Sequence, residues 1–328
     1  MKPTVTVTHN FPEVALKKLR SRAEVLYNDS GNSLSAADLI DRAGESQALI
    51  SYLTDKIDGA VLDAGGDHLK IVANYGAGYN NINVAHAQKK NIWVSNTPGV
   101  LHETTADLTW AMLLSIARRI VESDRFTREG KFHGWQADMF LGGDVHGKTL
   151  GVIGCGEIGK AVARRALGFD MQVLYHQRKR LSEAEEKRLN ARFVSLDQLL
   201  KESDFVTLHV PLNYDTKYMI GEDQLAMMKP TAYLIHAARG KVVDDRALVE
   251  ALKRKQIAGA ALDVYENEPE LTEGMTDLDN LIILPHIGSA SVATRDTMAL
   301  LVVDNVFDAL DGKTPRTLIP NWPGKARN

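Results

Sequence analysis

Short runs of β-branched and apolar residues alternate with amphipathic helical stretches along the first hundred residues. The predicted strands are Thr4–Thr8, Ala48–Tyr52, Lys70–Tyr75 and Ile92–Ser95, and the helical patterns include Ser35–Ala43 and Val84–Lys90. Alternation of strand and helix at this spacing is typical of βαβ units in a parallel sheet. The sequence therefore predicts one α/β domain over this region.

A second series of strands and helices follows a turn cluster at residues 96–99 and a helical pattern from Glu103 to Glu129, which we interpret as a connector between domains. Beyond the glycine-rich stretch 142–147 the alternation resumes. Its strands are Thr149–Ile153, Gln172–Tyr175, Asp204–Val210, Ala232–Ile235, Ala258–Leu262 and Leu281–Leu284, and its helices include Glu157–Leu167 and Asp244–Lys253. Ser182-x-x-Glu185 is a capping box that predicts a further helix. This series predicts a second doubly wound domain, and the final helical pattern, Ala290–Leu310, could pack on either one.

Length and charge narrow the kind of partner. The chain has 328 residues, enough for two domains, and its 44% hydrophobic and 25% charged residues are ordinary for a globular protein. A net charge of −3 would not attract the protein strongly to nucleic acid or to anionic lipid. We therefore expect a small-molecule partner, with no nucleic acid and no membrane.

The single cysteine and the absence of a long apolar segment bear on location. Cys155 is the only cysteine, which excludes an intrachain disulfide and fits a reducing compartment. The first residues lack the apolar core of a signal peptide, and the longest apolar stretch, Leu108–Ala117, is too short to span a bilayer. We expect a cytoplasmic protein. No His, Cys, Asp or Glu cluster has metal-ligand spacing, so no metal is expected.

A glycine-rich turn predicts a dinucleotide site. Gly154, Gly156 and Gly159 form Gly-x-Gly-x-x-Gly after an apolar strand, and Glu157 and Ile158 open an amphipathic helix. In such turns the first glycine permits the tight bend, the second lets a pyrophosphate approach the backbone, and the third lets the helix pack on the strand. A glycine-rich turn without a ligand is the alternative, but strand, turn and helix agree on cofactor binding.

The end of the next strand predicts the cofactor type. An Asp or Glu that binds the ribose of NAD is expected there, but Gln177 stands in its place, followed by Arg178, Lys179 and Arg180. Cations at this address favour a 2′-phosphate, so we expect NADP(H) to be preferred and NAD(H) to be possible. The alternative is a solvated basic loop.

Taken together, the motifs resemble the D-2-hydroxyacid dehydrogenase family, and within it the glyoxylate/hydroxypyruvate reductases, from about Ile71 to Pro320. The matching segments are Asn74-Tyr-Gly-Ala-Gly-Tyr, Thr97-Pro-Gly-Val-Leu, Thr105-Ala-Asp-Leu, the glycine motif, His209-Val-Pro211-Leu, Ala238-Arg239-Gly240, Ala261-Leu-Asp263-Val, Asn267-Glu268-Pro269 and Pro285-His286-Ile-Gly288-Ser289. The resemblance implies a flavodoxin-like substrate domain (residues 1–100 plus 287–328) and a Rossmann nucleotide domain (101–286). It also implies a homodimer through the nucleotide domains and an active site in the cleft between the two domains.

The resemblance places catalysis on Arg239, Glu268 and His286. Arginine is permanently charged and can bind the carboxylate and carbonyl oxygens of a 2-oxo acid. Histidine can donate a proton near neutral pH, and an acidic neighbour favours its protonated form. The implied reaction is NADPH-dependent reduction of glyoxylate to glycolate and of hydroxypyruvate to D-glycerate.

Further site residues follow from the same resemblance. The backbone of Ala77 and Gly78 and the side chain of Ser289 match substrate-facing positions. The implied cofactor contacts beyond the glycine motif and the basic loop are Thr105, His209, Val210, Pro211, Ala237, Ala238, Asp263 and Gly288. Two positions depart from the family pattern: His236 stands where Asn is usual, and Met139 where some reductases insert a tryptophan from the neighbouring subunit.

Two other functions remain open from the sequence. One is the oxidation of a different D-2-hydroxyacid, of phosphite or of formate, although the missing ribose acid argues against formate, whose oxidation normally uses NAD. The other is a non-catalytic dinucleotide-sensing protein, because corepressors of this fold resemble the enzymes at the three catalytic positions.

Overall fold

The computed structural model describes residues 2–320 and 322 and divides into two compact units. Unit 1 is Met1–Leu101 with Ala290–Asn328, and unit 2 is His102–Ser289. Each unit is a parallel β-sheet with helices on both faces, which confirms the α/β prediction of two doubly wound domains.

The described elements are named in chain order. The strands are β1 (Thr4–Val7), β2 (Glu24–Tyr27), β3 (Ala48–Ser51), β4 (Ile71–Asn74), β5 (Trp93–Ser95), β6 (Thr149–Ile153), β7 (Gln172–His176), β8 (Ala191–Phe193), β9 (Phe205–Leu208), β10 (Tyr233–His236), β11 (Gly259–Leu262) and β12 (Leu281–Ile283). The helices are α1 (Glu13–Arg22), α2 (Ala36–Glu45), α3 (Gly59–Ala64), α4 (Val84–Lys89), α5 (His102–Ala117), α6 (Ile120–Arg128), α7 (Glu157–Ala166), α8 (Glu183–Leu189), α9 (Leu196–Glu202), α10 (Glu222–Met227), α11 (Asp245–Lys253) and α12 (Val292–Leu310).

Unit 1 is built on a five-stranded sheet of order β2-β1-β3-β4-β5, the flavodoxin-like order. Successive residues of a strand face opposite sides, so both faces of the central strands must be apolar. In β4, Ile71 packs with α1 and α12, whereas Val72 packs with α2, α3 and α4. The last helix, whose partner the helical pattern alone left open, therefore belongs to the core of unit 1.

Unit 2 is built on a seven-stranded sheet of order β12-β11-β10-β9-β6-β7-β8, the Rossmann order extended by one strand. The strand order reverses between β6 and β9, and ligands of such sheets bind beyond the carboxyl ends of the strands at that reversal. Val206 of β9 packs with α9, α10 and α11, and Phe205 packs with α5, α7 and α8. The sheet is thus buried on both faces.

The helical pattern from Glu103 to Glu129 is two helices, α5 and α6, and both lie in unit 2, directly after the end of the first segment of unit 1. Helix α5 ends at Ala117, whose carbonyl accepts a hydrogen bond from Gly143 N (2.9 Å), and Arg119 takes a left-handed conformation with φ 54°. The side chains of Trp110 and Leu113 lie in the core of unit 2. Helix α5 is therefore an integral part of that unit.

None of the helices among the described residues is both long and apolar enough to cross a membrane.

Candidate active site

The glycine-rich turn joins β6 to α7 in unit 2, and each glycine meets a different constraint. Gly154 has φ +90°, and a Cβ there would lie 2.8 Å from the His209 carbonyl carbon. A Cβ on Gly159 would lie 2.1 Å from the oxygen of Gly154, so only glycine lets α7 pack this close to the turn. A Cβ on Gly156 would meet nothing within 4 Å. Gly156 thus leaves open space at the start of a ten-residue helix, where N–H groups face outward and favour an anion.

A cavity of about 860 Å³ opens beside this turn. Its lining brings together nine of the predicted cofactor residues, namely Gly154, Gly156, Gln177, Arg178, Lys179, Arg180, His209, Val210 and Pro211. It does not include Thr105, Glu157, Ile158, Gly159, Ala237, Ala238, Asp263 or Gly288. The size and cationic rim suit a dinucleotide.

Gln177, at the end of β7, holds the turn and the basic loop together. Its Oε1 accepts a hydrogen bond from Cys155 N (3.0 Å), and its Nε2 donates to the carbonyl of Lys179 (2.6 Å). An ionised acid at this position could not make the second bond, because a carboxylate has no donor. Gln177 therefore links the glycine-rich turn to the basic loop through hydrogen bonds. The sequence did not predict this role.

The three cations after Gln177 are not equivalent. Arg180 forms a two-pronged ion pair with Glu186, with both N–O distances 2.8 Å. Hydrogen bonds from Arg180 and Tyr175 lower the pKa of Glu186 to about 2, so the carboxylate stays charged. Among the described residues, Arg178 and Lys179 have no carboxylate within ion-pair distance. The charge available to a ligand phosphate is therefore that of Arg178 and Lys179.

Two histidines stand at the carboxyl ends of neighbouring strands: His209, whose ring nitrogens are buried, follows β9, and the fully buried His236 ends β10. Neither ring nitrogen of His209 has a hydrogen-bond partner among the described residues, and the same holds for Nδ1 of His236. Burial lowers the pKa of His209 to about 3 and that of His236 to about 4, so both rings are neutral. His236 Nε2 lies 2.9 Å from the carbonyl oxygen of Arg239. The histidine that replaces the usual Asn thus fixes the turn that carries Arg239.

Glu268 and His286 are in direct contact. Nδ1 of His286 lies 2.7 Å from Oε2 of Glu268, and about a third of each side chain is exposed. The other carboxylate oxygen of Glu268 accepts a hydrogen bond from Tyr265 N (3.2 Å). This contact leaves Nε2 as the ring nitrogen of His286 that is free to meet a ligand.

Arg239 follows β10 in a turn held by a glycine. A Cβ on Gly240 would lie 1.9 Å from the carbonyl oxygen of Tyr265, so the absence of a side chain lets this turn contact the segment that leads to Glu268. Arg239 is partly buried, and its guanidinium donates from Nη1 to the carbonyl of Ala238 (2.6 Å). Burial lowers the pKa of Arg239, and the charge of Glu268 opposes that shift. The geometry therefore supplies a cation close to the Glu268 and His286 pair.

Asp263 accepts hydrogen bonds from the backbone that follows His286. Its Oδ1 accepts from Ile287 N (2.7 Å) and its Oδ2 from Gly288 N (2.8 Å). Burial raises the pKa of Asp263, and the two hydrogen bonds oppose the rise. A Cβ on Gly288 would lie 3.2 Å from Oδ2 and 3.4 Å from Thr105 Cγ2, so Thr105, Asp263 and Gly288 form one packed group. Asp263 thus sets the backbone conformation at His286.

The remaining predicted residues lie on loops. Ser289 follows this group in unit 2, Ala237 and Ala238 follow β10, and Ala77 and Gly78 follow β4 in unit 1. Among the described residues no group of three or more His, Cys, Asp or Glu side chains could hold a metal ion.

Comparison with known proteins matches these features to one family. A family model described as "D-isomer specific 2-hydroxyacid dehydrogenase, NAD binding domain" matches residues 110–288. A glyoxylate reductase of Thermococcus onnurineus is 47% identical over 323 residues, which cover 97% of this chain and 96% of the relative.

Solved structures agree with the sequence matches. A glyoxylate reductase from Paecilomyes thermophila is 31% identical with a TM-score of 0.86, covering 97% of this chain and 98% of the other. An NADPH-dependent glyoxylate/hydroxypyruvate reductase from Sinorhizobium meliloti, in complex with NADP and malonate, is 31% identical with a TM-score of 0.86 and covers 100% of both chains. The chain therefore belongs to the D-isomer specific 2-hydroxyacid dehydrogenase family.

Proposed function

We propose that this protein reduces small 2-oxo acids, glyoxylate and hydroxypyruvate first, with NADPH as the preferred hydride donor. The observation that carries the proposal is the His286 Nδ1 to Glu268 Oε2 contact of 2.7 Å, which leaves an imidazole nitrogen free to deliver a proton. The names of the relatives, glyoxylate reductase and glyoxylate/hydroxypyruvate reductase, support the same substrates.

The cofactor site is proposed in the cavity beside the glycine-rich turn. The open space at Gly156 and the start of α7 suit the pyrophosphate, and Arg178 and Lys179 suit a 2′-phosphate. Thr105, Asp263 and Gly288 lie outside the lining of that cavity, and we propose that they meet the nicotinamide end. NADPH supplies the hydride when bound.

Arg239 is proposed to bind the substrate oxygens. Its guanidinium has donors in a planar arrangement that matches a carboxylate or a carbonyl next to a carboxylate, and its partial burial strengthens those bonds by reducing contact with water. A cation at the carbonyl oxygen stabilises the negative charge that develops when the carbonyl carbon receives hydride. This role needs a charge that persists at every working pH, which arginine provides.

His286 is proposed as the general acid. The proton on Nε2 moves to the carbonyl oxygen as the alkoxide forms, which leaves a neutral ring that keeps its proton on Nδ1. Glu268 accepts the Nδ1 hydrogen bond in both states, so it orients the ring throughout the reaction. In the reverse direction the same nitrogen removes the hydroxyl proton of the 2-hydroxy acid.

Four further assignments complete the proposal. We propose that unit 1 binds the substrate carboxylate through the N–H groups of Ala77 and Gly78, and that Ser289 of unit 2 faces substrate. Unit 2 is proposed as the nucleotide-binding domain, supported by the family match over 110–288.

A homodimer through unit 2 is supported by exposed apolar side chains near α6, among them Val121 and Trp135, which is 83% exposed. A cytoplasmic location is supported by the single cysteine.

The test is the absorbance of the reduced nicotinamide during mixing with purified protein. We expect rapid loss of NADPH with glyoxylate and hydroxypyruvate, slower loss with NADH, and little with pyruvate. Absence of turnover with every pair, despite measurable NADPH binding, would reject the reductase and favour a dinucleotide sensor. Equal kcat/KM for NADH and NADPH would reject only the cofactor preference.

A further inference from the structure

The loop after β4 is fastened through its carbonyl groups. Gly76 O accepts a hydrogen bond from Thr97 N (3.0 Å), Ala77 O accepts from Asn96 Nδ2 (2.6 Å), and Gly78 O accepts from Asn74 Nδ2 (2.7 Å). Three successive carbonyls are therefore satisfied from within unit 1.

The two asparagines are themselves fixed. Asn74 is fully buried, and its Oδ1 accepts from Ser51 Oγ (3.1 Å) and from Asn81 Nδ2 (3.3 Å). Asn96 is 6% exposed, and its backbone N–H donates to Thr317 O (3.2 Å) while its carbonyl accepts from Thr317 Oγ1 (2.6 Å). The side-chain amide of Asn74 and the backbone of Asn96 are thus held in place before any ligand arrives.

Anchored carbonyls determine where the N–H groups point. A trans peptide is planar, with its C=O and the following N–H on opposite sides. Fixing Gly76 O therefore aims the N–H of Ala77 away from Thr97, and fixing Ala77 O aims the N–H of Gly78 away from Asn96. Within residues 2–320 these two N–H groups donate to no protein acceptor. The result is a rigid pair of adjacent donors suited to a carboxylate.

We infer that Asn96 is a positioning residue that aims the N–H of Gly78 at the substrate carboxylate, and that Asn74 supports it by fixing the peptide unit that follows. This inference rests on the proposed function. Asn96 has the larger effect, because it anchors the peptide unit that carries the N–H of Gly78, whereas Asn74 anchors the next peptide unit. Donors that are already oriented lose no freedom when the anion binds, which strengthens binding.

The experiment compares Asn96→Ala and Asn74→Ala with Asn28→Ala. Asn28 also anchors two carbonyls in unit 1, those of Thr8 and Asn32 (both 2.8 Å), but in another loop. The measurements are the Kd of oxalate for the NADPH-saturated protein by calorimetry, KM and kcat for glyoxylate, the Kd of NADPH and the melting temperature. For Asn96→Ala we expect the oxalate Kd and the glyoxylate KM to rise by about 10-fold, the cost of misplacing one hydrogen bond to a charged group. We expect a smaller rise for Asn74→Ala, a lesser change in kcat, an unchanged NADPH Kd, and wild-type values for Asn28→Ala.

Several results would overturn the inference. An oxalate Kd that stays within twofold of wild type in Asn96→Ala, or that rises equally in Asn28→Ala, would do so, and so would failure of wild-type protein to bind oxalate. If Asn96→Ala unfolds, Asn96→Ser, with a shorter polar side chain, takes its place in the comparison. If Asn74→Ala unfolds, Ser51→Ala and Asn81→Ala decide, since each removes one of the two groups that orient the Asn74 amide. An oxalate Kd unchanged in both of these variants refutes the role of Asn74. Oxalate binding that follows these expectations without turnover of any 2-oxo acid would reject the proposed function and keep the inference.

Discussion

Nδ1 of His286 lies 2.7 Å from Oε2 of Glu268, and the backbone of His286 is in the left-handed region with φ 57°. A residue with a Cβ holds this conformation only where its surroundings compensate the cost. The compensation comes from Asp263, which accepts the two backbone N–H groups that follow His286. Asp263 therefore fixes the backbone of His286, and Glu268 fixes its ring through Nδ1.

Replacing the proposed acid tests this pair directly. We expect His286→Ala to lower kcat for glyoxylate by about 10²- to 10⁴-fold, the usual contribution of a general acid. Glu268→Gln should lie between this variant and wild type, because the amide orients the ring but carries no charge. Single-turnover absorbance gives the rates, and quenching of protein fluorescence gives the Kd of NADPH, which should not change. A wild-type rate in His286→Ala would contradict the assignment.

The unequal pairing of the cations after β7 predicts unequal effects on cofactor use. Arg178→Ala should raise the KM of NADPH by about 10- to 100-fold, since a charge-assisted bond to phosphate is lost. Arg180→Ala is the matched control and should change it by less than about threefold, because its charge is already paired with Glu186. The KM of NADH should be unaffected by both. Equal effects of the two variants on the KM of NADPH would contradict the proposal that Arg178 binds the 2′-phosphate and Arg180 does not.

The close approach at Gly240 predicts a large effect of one methyl group. A Cβ there would lie 1.9 Å from the backbone oxygen of Tyr265, so Gly240→Ala must move the turn that carries Arg239. We expect a loss of about 1–3 kcal/mol in the free energy of unfolding, with a fall in kcat/KM. Gly168→Ala is the control, because its Cβ would meet nothing within 4 Å. Denaturant titration measures the free energy of unfolding of both variants. Equal values for Gly240→Ala and Gly168→Ala would contradict the packing argument.

The buried, neutral His236 predicts that the protein is less stable in acid. Burial lowers the pKa of His236 from 6.5 to about 4, so the unfolded chain binds this proton at a higher pH than the folded chain. The free energy of unfolding therefore falls as the pH drops from 6.5, by about 3 kcal/mol at pH 4 for this group alone.

His236→Asn removes that contribution and should flatten the pH dependence measured by denaturant titration at pH 6.5 and pH 4. The exposed His133→Asn serves as the control and should keep the wild-type slope. A wild-type slope in His236→Asn would mean that this ring already carries its proton in the folded protein.

The hydrophobic pattern was sufficient for the central strands and for the edge strands β5 and β12, and insufficient for the other two edge strands. β4 and β9 are continuous apolar runs because both of their faces are buried, and such runs are visible in sequence. β2 and β8 were not predicted, since each is an edge strand of three or four residues with partly exposed side chains. The end of α5 was also missed, because Arg119 takes a left-handed conformation that favours glycine and its sequence gives no such signal.

The candidate site divides in the same way. The family resemblance supplied Glu268 and His286, which the structure brings into contact. The resemblance could not supply the hydrogen bonds of Gln177. A glutamine that links two loops cannot be distinguished in sequence from a glutamine that faces solvent. The pairing of Arg180 with Glu186 likewise depends on where α8 begins after the loop.

The chain order of unit 1 has a consequence during synthesis. Its sheet is encoded by residues up to 101, but Met298, Val302 and Val306 of α12 cover one face of that sheet. At a synthesis rate of about 5–20 residues per second, the segment 102–289 separates the two parts by about 10–40 s. Unit 2 is continuous and can fold during that interval. The nascent chain therefore carries an uncovered apolar sheet face until its last helix leaves the ribosome, which is the period in which chaperones would protect it.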